Sequence, residues 1–176
     1  MKNNLNWLFS GFLLASVGNF ALAGRIHAAE TVILQYGILQ GSISVEELST
    51  FARDGELSSS LKSYLRLSNT KPEDLQRLLT QEVDVDGVSL SRALNSIPGE
   101  ILLDRVGTII RTSSGRASRQ ALRAALVQSA LPNDQITLIE VIENYPTDKI
   151  YVEGDRLADA YNSISMGLEI ASRLGF

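Results

Sequence analysis

Residues 30–45 read ETVILQYGILQGSISV and carry the clearest strand signal in the chain. Val32, Leu34 and Tyr36 alternate with more polar positions, which is the period of a β-strand. A second run from Ile38 to Val45 follows a glycine, so the pattern favours a β-hairpin. Because an isolated hairpin is marginally stable in water, we expect it to pack on the rest of the chain.

The sequence after the hairpin has the periodicity of short helices. Ser44 and Glu47 have the spacing of a capping box, which predicts a helix that ends at Asp54-Gly55. Thr70 and Glu73 have the same spacing, and Asp86 is predicted to cap a further helix. Other predicted helices cover 58–67, the stretch from 101 to 110 after a restart at Pro98-Gly99, 117–131, and the chain from 155 onward.

Four shorter segments lack this period. Residues 83–85 and 149–152 read as short strands, 111–115 as a polar loop, and 136–142 as either strand or helix. These segments are short compared with the predicted helices. We therefore expect a mainly α fold, a compact bundle of seven or eight short helices with a small N-terminal β element.

The N-terminus has the pattern of an export signal. Lys2 precedes an apolar run over residues 5–23, which ends in the small-x-small sequence Ala21-Leu22-Ala23. A second possible cut lies near Ala28 or Ala29, and an uncleaved anchor is the alternative. The expected organisation is a signal peptide over 1–29 and a single helical domain over 30–176, located in the periplasm or outside the cell.

Composition excludes several chemistries. The 176 residues include 16 basic and 20 acidic side chains, and the net charge of −4 argues against nucleic acid as a partner. No cysteine is present, so disulfides, zinc-thiolate sites and cysteine nucleophiles are excluded. His27 is the only histidine and lies inside the predicted signal peptide. We expect no cofactor.

A set of short motifs resembles a known domain. The motifs stand in a fixed order: 34–37 (LQYG), 42–48 (SISVEEL), 107–111 (GTIIR), 121–126 (ALRAAL) and 145–148 (YPTD). Together they resemble the uncharacterised N-terminal domain of exported cyanobacterial proteins that carry the name α/β-hydrolase. The resemblance covers roughly 30–153 and implies a stand-alone accessory domain without the hydrolase domain that follows it elsewhere. It assigns no catalytic role to any residue.

The sequence also lacks the catalytic motif of a hydrolase. An α/β-hydrolase needs a serine within G-x-S-x-G and a histidine base, and no G-x-S-x-G occurs here. Ser59 to Lys62 and Ser68 to Lys71 match S-x-x-K, but the accompanying S-D-N and K-T-G boxes are absent. We predict no catalytic residue.

Residues 82–87 (EVDVDG) resemble the first half of a calcium loop. The twelfth position, which should hold a bidentate acid, is Ala93, and the ninth is Leu90. With these ligands missing, we predict no metal site and a capping role for Asp86.

The most suggestive polar feature is a group of arginines: Arg111, Arg116, Arg119 and Arg123. Spacings of three and four place the last three on one helical face. This face could bind a phosphate, a lipid headgroup or an acidic partner. Alternatively, the face is solvated or forms ion pairs with Glu100 and Asp104.

The sequence therefore predicts an exported, non-catalytic domain that binds a partner, such as an exported hydrolase. The alternatives are a hydrolase, as the family name suggests, and a module that binds lipid or anionic surfaces.

Overall fold

The computed structural model describes residues 28–156 together with Ser163 and Met166. Seven α-helices lie within the described range: α1 (Val45–Asp54), α2 (Ser59–Leu67), α3 (Pro72–Thr80), α4 (Gly87–Leu94), α5 (Ile97–Gly107), α6 (Ser118–Ala130) and α7 (Leu138–Glu143). Six strands accompany them: β1 (Thr31–Tyr36), β2 (Leu39–Ser44), β3 (Val83–Asp84), β4 (Ile110–Thr112), β5 (Gln135–Ile136) and β6 (Lys149–Glu153). A 3₁₀ turn, Gly154–Arg156, follows β6.

The predicted hairpin is confirmed, and it forms half of a larger sheet. β1 pairs antiparallel with β2, and Gly37 occupies the turn with a φ of 58°, which a glycine adopts without strain. On its other side β1 pairs parallel with β6, and β6 pairs antiparallel with β4. The strand order is β2-β1-β6-β4, and β3 and β5 form a separate two-stranded sheet.

The prediction of a mainly α bundle with a small N-terminal β element is therefore wrong. The fold is an α/β arrangement in which a mixed four-stranded sheet packs with the helices. The parallel pairing of β1 with β6 joins residues more than a hundred positions apart. Each added strand has only three to five residues, and its sequence alone does not show which segment it will pair with.

The polar loop predicted at 111–115 is also partly wrong. Residues 110–112 form β4, in which Ile110 and Thr112 are buried while Arg111 between them is half-buried. The short strands predicted at 83–85 and 149–152 are present. The ambiguous segment 136–142 divides between a strand end and α7.

Helix boundaries follow their caps. Ser44 and Glu47 form the predicted capping box, and Asp86 accepts a hydrogen bond from the backbone of Ser89. The predicted Thr70 cap is wrong, because α3 begins after Lys71, which makes no side-chain cap. Helix α5 begins at Ile97, earlier than predicted, since a proline fits without strain in the first turn of a helix.

One contiguous core joins the sheet to the helices. Its centre is α6, whose residues Ala121, Leu122, Ala125 and Leu126 are buried, and which contacts α4, α5, α7 and β4. From the sheet, Val32, Ile43 and Ile150 enter the same core. Helix α6 matches the buried helix predicted at 117–131 within two residues at each end.

The predicted signal peptide lies outside the described residues except for Ala28 and Ala29. Most of the predicted C-terminal helix lies outside them as well. Ala29 is buried in the core cluster, and the adjoining Glu30 backbone bonds to Asp148. Within the described residues no helix is both long enough and apolar enough to span a membrane.

Candidate functional site

The described part of the chain contains an apolar cavity of about 590 Å³. It lies between the β1–β2 hairpin and helices α2, α3 and α7, with the turn after β6 at its edge. A volume of this size falls in the range of small-molecule sites. Hereafter we call it the apolar cavity.

The polarity of the apolar cavity changes with depth. Its floor consists of buried aliphatic side chains such as Ile43, Leu61 and Ile150. Its walls are half-buried apolar residues from four elements, namely Leu34, Tyr64, Leu75, Leu78, Leu138 and Ile142. Its polar lining residues are mostly exposed and therefore form a rim: Gln40, Thr70, Asp74 and Asp155.

One wall depends on the absence of a side chain at Gly41. The ring of Tyr64 lies against this glycine so closely that a Cβ atom there would clash with the ring. The Tyr64 hydroxyl accepts a hydrogen bond of 3.0 Å from the backbone N–H of Ser42. The glycine thus allows α2 to close over β2 and form the wall.

Tyr145 lies at the floor of the apolar cavity with an unsatisfied hydroxyl. The residue is 1% exposed, and its hydroxyl oxygen has no hydrogen-bond partner in the described part of the chain. Burial raises the pKa of this hydroxyl above its ordinary value of 10.0, because desolvation disfavours the ionised form.

Two arginines of the predicted face, Arg119 and Arg123, contact partners on α4 and α5. Arg119 donates to both carboxylate oxygens of Asp104 and forms a further ion pair of 3.1 Å with Glu100. The bond to Asp104 raises the pKa of Arg119. Arg123 donates to the backbone carbonyl of Leu94 and pairs with Glu100 at 3.4 Å. The ion pairs that were the alternative interpretation are thus present.

The other two arginines lie apart from this cluster. Arg111 on β4 donates to Gln35 Oε1 at 2.8 Å, and its guanidinium lies 5.2 Å from the ring centroid of Tyr151. The exposed side chain of Arg116 makes no hydrogen bond or ion pair with the described residues. The structure therefore does not bring the four arginines together, and an anion-binding role for them stays a prediction.

At two strand-to-helix junctions a hydroxyl residue lies directly before the helix, which is where a hydrolase nucleophile would lie. At the first, Ser44 ends β2 with an ordinary φ of −70°, and its hydroxyl bonds to Glu47. At the second, Thr137 forms the equivalent capping box with Glu140. Both side chains cap helices, and the only histidine of the sequence, His27, lies outside the described residues.

The other sequence motifs also have local partners. In the calcium-like segment, Asp84 accepts a hydrogen bond of 2.8 Å from Gln135, and Asp86 caps α4. The Ser68 hydroxyl, within one S-x-x-K match, donates to Thr70. Among the described residues, no cluster of three or more histidine, cysteine or acidic side chains could hold a metal ion.

No pattern in the sequence predicts the apolar cavity. The helical period of Leu75, Leu78 and Leu79 in α3 indicates only that one face of the helix is buried. The cavity exists because four separate elements meet around a gap, and no local pattern specifies such a gap. The exposed Tyr36 at the hairpin end, which lines the cavity, was the nearest available signal.

Comparison with known proteins finds a matching protein family. Residues 28–153 match the family described as alpha/beta hydrolase of unknown function (DUF1400). No curated protein and no solved structure matches the chain significantly. The matched range begins one residue before the buried Ala29 and ends with β6, so it coincides with the described fold. The chain belongs to the family of α/β hydrolases of unknown function, DUF1400.

Proposed function

We propose that this chain is a non-catalytic binding domain whose apolar cavity holds the aliphatic part of a ligand. The observation that carries the proposal is the cavity itself, about 590 Å³ in volume and walled by side chains from β1, α2, α3 and α7. Apolar cavities of this size bury most of a small ligand's surface. Burial of that surface would provide the binding free energy, at about 25 cal/mol per Å².

The chemistry of the lining favours binding over catalysis. Among the described residues, those that line the cavity include carboxylates and hydroxyls but neither histidine nor cysteine, and no lysine or arginine. Without a nearby base, a serine or threonine hydroxyl is a poor nucleophile. The family name alone does not supply an activity, because the same fold can serve unrelated functions.

Binding of an uncharged fluorescent probe tests this proposal. We expect N-phenyl-1-naphthylamine to bind the purified chain with a saturable increase in emission. In Leu78→Glu, a carboxylate enters the cavity wall, and the affinity should fall by about tenfold or more because a charge is costly against apolar surface. The control is Leu102→Glu, which alters an equally half-buried leucine outside the cavity lining. Circular dichroism checks that both variants fold.

Two results would contradict the proposal. One is saturable binding that is equally weakened in both variants or in neither. The other is binding that appears only after Ile164 and Leu168 are changed to aspartate, because the C-terminal part of the chain would then be the occupant of the apolar cavity.

A protein partner, such as an exported hydrolase, is a second candidate function. The supporting observation is an exposed apolar pair one helical turn apart on α5, where Ile97 is 79% and Ile101 is 60% exposed. Apolar side chains exposed together often mark an interface. Ile97→Glu combined with Ile101→Glu should abolish co-purification with an exported hydrolase of the same cell, whereas Val88→Glu, an exposed control on α4, should not.

Export is part of the same proposal. Because Ala29 is buried in the core, a cut after Ala23 would leave the fold whole, whereas a cut after Ala29 would remove a core residue. We therefore expect intact-mass analysis of the protein from a bacterial host to show the loss of residues 1–23. A full-length chain in the cytoplasm would contradict export.

A further inference from the structure

Resting on the proposed function, we infer that the ligand of the apolar cavity is a single-chain amphiphile with an uncharged, hydroxyl-bearing head group. The aliphatic chain would occupy the floor and walls, and the head group would lie at the rim. The inference comes from the way in which polarity and charge are distributed over the lining residues.

The rim offers hydrogen-bonding groups that suit hydroxyls. Asp155 and Gln40 are exposed and make no side-chain hydrogen bond with the described residues. Asp74 uses Oδ1 to bind Arg77 at 2.8 Å, which leaves its second oxygen without a partner in the described chain. Carboxylates are acceptors only, so they select ligand groups that donate, such as hydroxyls.

The sign of the rim charge disfavours an anionic head group. Among the described residues, the charged ones that line the apolar cavity are Asp74 and Asp155, and both are acidic. The nearest arginines in sequence are already engaged, since Arg77 binds Asp74 and Arg156 binds Glu153 at 3.1 Å. A carboxylate or phosphate head would therefore meet like charge from the described lining residues, which raises its free energy at the rim.

A series of ligands with one aliphatic chain separates head-group effects from chain burial. The probes are monododecanoylglycerol, dodecyl glucoside and dodecanoate, each below its micelle-forming concentration, and binding is read from displacement of N-phenyl-1-naphthylamine. We expect both hydroxyl-bearing ligands to bind about tenfold more tightly than dodecanoate, which corresponds to one charge-assisted hydrogen bond. A preference for one of the two identifies the head as glycerol-like or sugar-like.

A charge reversal at the rim tests the cause. Asp155→Lys should raise the affinity for dodecanoate and lower it for both hydroxyl-bearing ligands. Asp148→Lys, an exposed aspartate outside the lining, should leave the order unchanged. The difference should shrink as salt increases, because exposed charges are screened.

The outcomes distinguish this inference from the proposed function. If the fluorescent probe binds but dodecanoate displaces it as well as the uncharged ligands do, the head-group inference is wrong and the binding function stands. The same conclusion follows if Asp155→Lys and Asp148→Lys behave alike. If no probe binds at all, both proposals fail together.

Discussion

At the scale of single residues, Tyr145 is the clearest exception to the rule that buried polar groups are hydrogen-bonded. Its hydroxyl is buried without a partner in the described chain, which costs about 1–3 kcal/mol. The residue remains a tyrosine although a phenylalanine would fill the same space. This makes Tyr145 a sensitive position for testing the interior of the apolar cavity.

We expect Tyr145→Phe to raise the free energy of unfolding by about 1 kcal/mol at neutral pH, because the unsatisfied hydroxyl is removed. The pKa of Tyr145 is raised by burial, so the hydroxyl stays protonated in the folded chain at pH values where it ionises in the unfolded chain. Stability of the unchanged protein should therefore fall as the pH rises above about 10. Melting temperatures of both proteins across this range measure the effect. A loss of stability in Tyr145→Phe at neutral pH would contradict it.

At the scale of secondary structure elements, the junction between β2 and α1 combines a strand end with a helix cap. The Ser44 hydroxyl accepts a hydrogen bond from the Glu47 backbone N–H, and the Glu47 carboxylate accepts one from the Ser44 backbone. This second bond is the largest cause of the lowered pKa of Glu47. The cap therefore connects the stability of α1 to the ionisation of one acid.

Ser44→Ala should lower the free energy of unfolding by about 1 kcal/mol, the usual value of an N-cap. Because the pKa of Glu47 is lowered in the folded state, its contribution is present above the ordinary value of 4.5 and is lost as the pH falls through the lowered value. Urea unfolding from pH 6 to pH 3 measures this dependence, which should disappear in Glu47→Gln. Ser59→Ala, at an exposed serine, provides the control.

The contact between α5 and α6 includes Arg119 and Arg123, which form ion pairs with acids of α5. Arg119→Gln should lower the melting temperature, because it removes bonds to both Asp104 and Glu100. Arg116→Gln should leave it unchanged, since that exposed side chain makes no hydrogen bond or ion pair with the described residues. The difference should decrease near 1 M salt, where the screening length is about 3 Å. Equal effects of the two substitutions would contradict the observed pairing.

At the scale of the whole molecule, β6 joins the two ends of the described chain. Its residues Ile150 and Val152 are buried between β1 and β4. Ile150→Ala should lower the free energy of unfolding by about 2–5 kcal/mol, because truncation of a large side chain leaves a cavity in a packed core. Ile38→Ala, at a fully exposed isoleucine of the hairpin turn, should change it by about 0.5 kcal/mol or less. Chemical denaturation compares the two.

Local features of the fold were largely predictable. The hairpin, the Ser44 capping box, the Asp86 cap and the buried helix around Ala125 each depend on residues close together in sequence. The resemblance to an uncharacterised domain of proteins named α/β-hydrolase agrees with the match to an α/β-hydrolase family of unknown function over 28–153. In these cases a short window contains all the groups that decide the structure, so its pattern is sufficient.

The architecture and the candidate site depended on distant contacts. A short strand was predicted at 149–152, but only the structure shows that β6 lies between β1 and β4, which makes the fold α/β rather than a helical bundle. The sequence left open whether Arg119 binds an anion or pairs with acids, and the structure shows its ion pairs with Glu100 and Asp104 of α5. The apolar cavity is formed by side chains from both ends of the described chain.

The sequence by itself determined the local structure of this protein, the absence of cysteine, and a repertoire of chemistry without a histidine beyond residue 27. Only the tertiary structure decided which short strands pair and where a cavity remains open. The physical reason is that helix caps and turns are short-range, whereas sheet pairing and cavities depend on packing between segments far apart in sequence. The polar rim and apolar floor, from which the ligand was inferred, depend on such packing between distant segments.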